Sequence, residues 1–103
     1  MKINEREYNL KFTGESLIIF KEAFHKDLLT VVAKPDNFIN DFELLFAVIW
    51  TLAKTGGEMP EYKDFMASLG PTAVRELIKM ETIKEVLKVI NGDSEMTVED
   101  KKK

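Results

Sequence analysis

The chain has 103 residues, 45% of them hydrophobic, and 15 basic side chains against 18 acidic ones give a net charge of −3. That length suits a single domain burying about 60–65% of its unfolded surface, and the acidic balance argues against the basic face that neutralises phosphates in nucleic-acid binders. Cysteine is absent, which excludes disulfides and thiolate chemistry and makes a reducing cytoplasm the expected setting.

The first residues, Met-Lys-Ile-Asn-Glu-Arg-Glu, are polar and lack the apolar run of a signal peptide. Tyr8-Asn9-Leu10-Lys11-Phe12 alternates apolar and polar residues, the pattern of a half-buried strand. Lys2-Ile3-Asn4 is its expected partner through a turn at Asn4–Glu7. A lone hairpin is marginal, so this one is expected to lie on helices or to extend a partner's sheet. Thr13-Gly14-Glu15 caps a helix running to about His25. Leu17, Ile19, Phe20, Ala23 and Phe24 share one face of it, and Ile18 falls on the polar side. Asp27 caps a second short helix over Leu28–Ala33, and Lys34-Pro35-Asp36-Asn37 breaks it.

The chain is organised around Leu44–Ala53, which holds no charge and one hydroxyl, Thr51. On a helical wheel its apolar side chains cover nearly the whole circumference, so it must be surrounded. These residues rise only ~15 Å, short of a ~30 Å bilayer core, which makes the stretch the buried post of a soluble domain. Asn40 and Glu43 are spaced as a capping-box pair at its start. Thr55-Gly56-Gly57 is expected to close it with a left-handed glycine.

Pro60–Leu69 reads as the next helix, with Pro60 in its first turn and Tyr62, Phe65, Met66 and Leu69 as its apolar stripe. Gly70-Pro71 ends it. In Pro71–Asn91, Val74, Leu77 and Ile78 lie on one side of the wheel, while Ile83, Val86, Leu87 and Ile90 lie on the opposite side. One straight helix cannot turn both sets to one core. Either it breaks near Met80–Thr82, the favoured alternative, or its far half leaves to meet a partner along Met80, Ile83, Leu87 and Ile90, which fit a short heptad seam. The expected fold is therefore mainly α: about five to six helices around a central apolar helix at 41–54, with a short N-terminal strand or hairpin. Residues 1–91 form one domain and 92–103 a flexible polar tail.

Few residues suggest chemistry. His25 is the single histidine, at a helix end beside Lys26, and reads as a solvated or capping residue. No cluster has metal-ligand spacing, and Glu61 and Asp64 most simply place favourable charge near a helix N-terminus. Gly56-Gly57 is too short for a phosphate-cradling loop. A helix-turn-helix reading of residues 60–91 fails because Arg75 and Lys79 sit opposite Lys84 and Lys88, interleaved with Glu76, Glu81 and Glu85.

Several pieces recur together: Tyr8-Asn9-Leu10-Lys11-Phe12-Thr13, a helix with Phe20-Lys21-Glu22, then Asp27-Leu28-Leu29, a linker, the Trp-containing helix Phe42–Leu52, and Met59-Pro60-Glu61-Tyr62. Over residues 7–69 this order resembles the tail assembly chaperones of long-tailed bacteriophages, prophages and gene transfer agents. The resemblance implies a non-catalytic protein with no cofactor, acting in the bacterial host cytoplasm and absent from the finished virion. Its implied partners are the tape measure protein, which it keeps soluble, and the major tail tube protein, whose assembly around the tape it assists; neither nucleic acid nor membrane is implied. Many such phages also make a longer product by ribosomal frameshifting. Lys101-Lys102-Lys103 suits a slippery codon run, and equally a merely basic tail. A small helical adaptor, antitoxin-like or anti-repressor, is the alternative reading. The wheel analysis, independent of the resemblance, nominates Ile18, Met80, Ile83, Leu87 and Ile90 as partner contacts, by helix-in-groove binding or by self-association into a homo-oligomer.

Overall fold

A computed structural model of the chain describes residues 1–34 and 36–92. Among the described residues two short strands precede seven helices: β1 (Lys2–Ile3), β2 (Arg6–Glu7), α1 (Gly14–Phe24), α2 (Leu28–Val32), α3 (Asp36–Asn40), α4 (Phe42–Gly56), α5 (Tyr62–Ala67), α6 (Pro71–Leu77) and α7 (Met80–Asn91). The mainly helical fold with an N-terminal hairpin is as the sequence predicts, with one more helix than expected. The predicted tail from Asp93 onward, including Lys101–Lys103, lies outside the described residues.

The hairpin is shifted toward the N-terminus. β1 pairs antiparallel with β2 in the register Lys2↔Glu7 and Ile3↔Arg6. Its turn is Asn4-Glu5, both at positive φ, 55° and 69°, the geometry a two-residue primed turn needs to match strand twist. Ile3 is its one buried residue. The alternating segment Tyr8–Phe12 is not a strand but an extended cover over α4, where the Lys11 N–H donates to the Leu52 carbonyl at 3.1 Å.

α1 begins with a capping box. Thr13 Oγ1 accepts from the Glu15 N–H at 3.1 Å, and Ser16 Oγ accepts from the Thr13 N–H at 3.1 Å, which satisfies orphan donors of the first turn. Asp27 caps α2 as predicted, through the Leu29 N–H at 3.1 Å. α3, by contrast, forms where the sequence suggested only a break and a linker, and its Phe38 is fully buried. The Asn37 side chain fastens it by donating to the Val31 carbonyl at 2.8 Å.

α4 is the post. Every residue from Leu45 to Ala53 is buried, and the fully buried Thr51 donates its hydroxyl to the Ala47 carbonyl at 2.8 Å. At roughly 1.5–3 kcal/mol for each large apolar side chain removed from water, this helix carries a major share of the domain's stability. Both of its ends differ from expectation. The cap is Asp41, whose carboxylate accepts from the Leu44 N–H at 3.2 Å, rather than Asn40. At the other end Gly57 is extended, with φ 176°, rather than left-handed. Glycine is needed one residue earlier, at Gly56, where a Cβ would collide with the Asn9 carbonyl.

Pro60 precedes α5 instead of opening it; Glu61 is the cap. The Pro60 carbonyl accepts from Trp50 Nε1 at 2.9 Å, so the indole's one polar atom is satisfied inside the core. The opposed apolar sets of 71–91 are resolved by a break at Ile78–Lys79, slightly before the expected point. There Thr82 Oγ1 donates to the Glu76 carbonyl at 2.7 Å. The re-aimed α7 then buries Ile83 and Val86, while α6 buries Ala73 and Leu77.

Candidate functional site

Two kinds of surface are candidates: apolar side chains left exposed, and a cleft over the aromatic cluster at the α1–α4 contact. Among the described residues no group of histidines or carboxylates is arranged to hold a metal ion. No helix there is long and apolar enough to cross a membrane. His25 is the C-cap of α1 in the left-handed conformation (φ 59°), its N–H donating to the Lys21 carbonyl at 2.8 Å.

The five residues nominated from the wheel do not assemble into one patch. Ile18 on α1 is 59% exposed and Met80 at the start of α7 is 52% exposed. Ile83 is only 4% exposed and belongs to the core. It is a core residue rather than a contact, because the break at Ile78–Lys79 turns α7 so that Ile83 and Val86 face inward. Leu87 and Ile90 are half-buried against the same core. Ile18 borders a depression with Leu17, Lys21 and Asp27, whereas Ile90 borders a different one with Leu10, Phe12 and Val89.

The sequence reading missed two exposed apolar residues, Leu29 at 52% and Phe42 at 40%. On the helical wheel Phe42 falls in the same arc as Leu45, Phe46, Ile49 and Trp50. It is the first residue after the Asp41 cap, and α4 enters the core only from Leu45. Its position at the helix start was the available signal.

The cleft rests on four rings. Phe20 and Phe24 have centroids 4.9 Å apart, and Phe24, Trp50 and Tyr62 meet edge to face at 4.9–5.8 Å, the preferred arrangement for ring quadrupoles. α1 brings Phe20 and Phe24 to this point, α4 brings Trp50 and α5 brings Tyr62. Tyr62 lines two cavities here. One, of about 210 Å³, is lined also by Phe24, Lys26, Glu43, Leu44 and Ala47. The other, of about 340 Å³, is lined also by Ile19, Glu22, Trp50, Lys54 and Glu61. The Lys54 ammonium sits 5.3 Å from the centroid of the Trp50 ring, within cation–π range. Burial pushes the Tyr62 phenol up to about 12, and the negative charges of Glu43 and Asp41 add to the shift. The cleft therefore combines apolar walls with a charged rim of carboxylates and lysines.

No protein-family model, curated protein or solved structure matches this chain.

Proposed function

We propose that this chain is a non-catalytic tail assembly chaperone of a long-tailed bacteriophage or related element, acting in the bacterial cytoplasm. It binds the apolar, helical tape measure protein, keeps it soluble, and helps tail tube protein assemble around it. The observation that carries the reading is an excess of apolar surface. Ile18, Leu29, Phe42 and Met80 stay exposed although the core around α4 is already filled. Single exposed apolar residues are ordinary; four large ones on a domain this small suit a protein that covers another chain's apolar face. The resemblance over residues 7–69 points the same way through its helices α1, α2 and α4, although its expected strand at Tyr8–Phe12 is an extended segment.

Co-expression with the tape measure polypeptide of a long-tailed phage tests it. The expected result is that the tape polypeptide stays in the soluble fraction only when this chain is present. Ile18→Asp with Met80→Asp, in a protein whose circular dichroism is unchanged, lowers that soluble fraction. A tape polypeptide equally insoluble with and without the chain overturns the proposal.

A further inference from the structure

Beside these scattered exposed residues, the cleft over Phe24 and Tyr62 offers a concave seat. Both of its cavities have walls from α1 and α4, and Tyr62 lines both. Their α4 walls are in register: Glu43 and Ala47 line the first, and Trp50 and Lys54, each seven residues further on, line the second. Seven residues of helix rise ~10.5 Å, which is the spacing of side chains i and i+7 on a helix laid along α4. Each cavity greatly exceeds the ~30 Å³ share of one water and has an apolar floor, Leu44 and Ala47 in one and Ile19 and Trp50 in the other. The rim is mostly acidic. Asp41 and Glu43 face Lys26 at one end, and Glu22 and Glu61 face Lys54 at the other, so four carboxylates stand against two lysines.

We infer that this cleft seats an amphipathic helix with large apolar side chains at i and i+7 and lysine or arginine along both flanks of its apolar face. The inference rests on the reading that the chain binds a helical partner, and it assigns the partner's chemistry and its seat. Apolar anchors entering the two cavities supply the affinity, and the carboxylate rim selects basic flanks and speeds encounter. Tyr62 lines both cavities and so borders both anchors. The partner's bases compete for a rim in which Lys54 is already drawn onto the Trp50 face.

Trp50 is the single tryptophan of the chain and lines one cavity, so it reports occupancy directly. The probe is a helical peptide of four turns with leucine at i and i+7 and lysine on both flanks, titrated into the full chain while Trp50 fluorescence is followed. Saturable binding is expected, and it weakens at least tenfold for a glutamate-flanked peptide or one with the leucines moved to i and i+5. Glu43→Gln with Glu61→Gln weakens binding of the lysine peptide at least threefold, and Ala23→Glu, an exposed position at the cleft, blocks it; Lys84→Gln on α7 leaves it unchanged. No saturation, or equal binding of the acidic and respaced peptides, overturns the inference. The co-expression assay separates the two proposals. If Ala23→Glu still solubilises the tape polypeptide fully, the cleft assignment falls and the chaperone reading stands. If the peptide behaves as expected while the tape polypeptide stays insoluble, the cleft stands and the chaperone reading falls.

Discussion

Alanine at Gly56 is a substitution whose sign is decided by tertiary structure. Gly56 is the last residue of α4, and on helix propensity alone alanine stabilises by up to ~1 kcal/mol. The fold reverses this. A Cβ at Gly56 runs into the Asn9 carbonyl, which is backbone and cannot swing aside as a side chain does. The segment carrying it is fastened on both sides of Asn9, by the Tyr8 N–H to the Met1 carbonyl at 2.8 Å and the Lys11 N–H to the Leu52 carbonyl at 3.1 Å. Forcing an atom into such a contact costs about 1–3 kcal/mol, and about 1 kcal/mol more if the Lys11–Leu52 bond breaks. The expected net loss for Gly56→Ala is about 1–3 kcal/mol, read as a fall in Tm of roughly 4–8 °C per kcal/mol for a domain of this size. Gly57→Ala is the control. A Cβ there meets nothing within 4 Å and the backbone is extended at φ 176°, so its expected change is neutral to about 1 kcal/mol stabilising. Thermal melts by circular dichroism decide the matter. A Gly56→Ala protein as stable as the parent, or more so, refutes the placement of the Tyr8–Phe12 cover on α4.

Ser16→Ala is expected to cost about 1–3 kcal/mol. The fully buried Ser16 hydroxyl ends the capping box and lies 2.7 Å from Thr55 Oγ1, joining α1 to α4; an unchanged Tm contradicts that linkage. Glu5→Gly is expected to stabilise by about 0.5–1 kcal/mol, because relief of a left-handed non-glycine residue at ~1–2 kcal/mol exceeds the entropy that glycine adds to the unfolded chain. A lower urea midpoint counts against the primed turn. For Tyr62, the phenol is held protonated in the fold up to about 12 against an ordinary 10.0. The unfolded chain therefore loses its proton first as pH rises. The sign follows: this group's contribution to stability is intact below pH 10 and is lost as pH climbs from 10 through 12. In a Tyr8→Phe background, phenolate absorbance is expected to rise with a midpoint near 12, and a midpoint near 10 in a protein still folded contradicts the buried position of Tyr62 beside Glu43 and Asp41.

The parts of this fold legible in the sequence are those that one helix states by itself. Leu44–Ala53 is apolar around nearly its whole circumference, and from Leu45 onward it is buried on every side. Val74, Leu77 and Ile78 oppose Ile83 and Val86 on the wheel, and the chain breaks between the two sets. Thr13 and Asp27 cap as their side chains suggest. What the sequence hides depends on two elements meeting. Phe38 sits in a five-residue helix too short to show a period. Gly56 is dictated by Asn9, far away in the chain. Ile83 changes from a contact to a core residue because the break re-aims α7. The cleft over Tyr62 is invisible for the same reason: its walls come from α1, α4 and α5, and no single stretch carries it.

An aggregation assay with purified components tests whether this chain shields an apolar helical partner. A tape measure fragment is diluted from denaturant and its light scattering followed, with and without this chain. Scattering is expected to be suppressed once the chain is present in molar excess over the partner's binding segments, without ATP, and Ile18→Asp with Met80→Asp is expected to weaken the effect. Scattering that rises equally in the presence and absence of the chain contradicts such shielding.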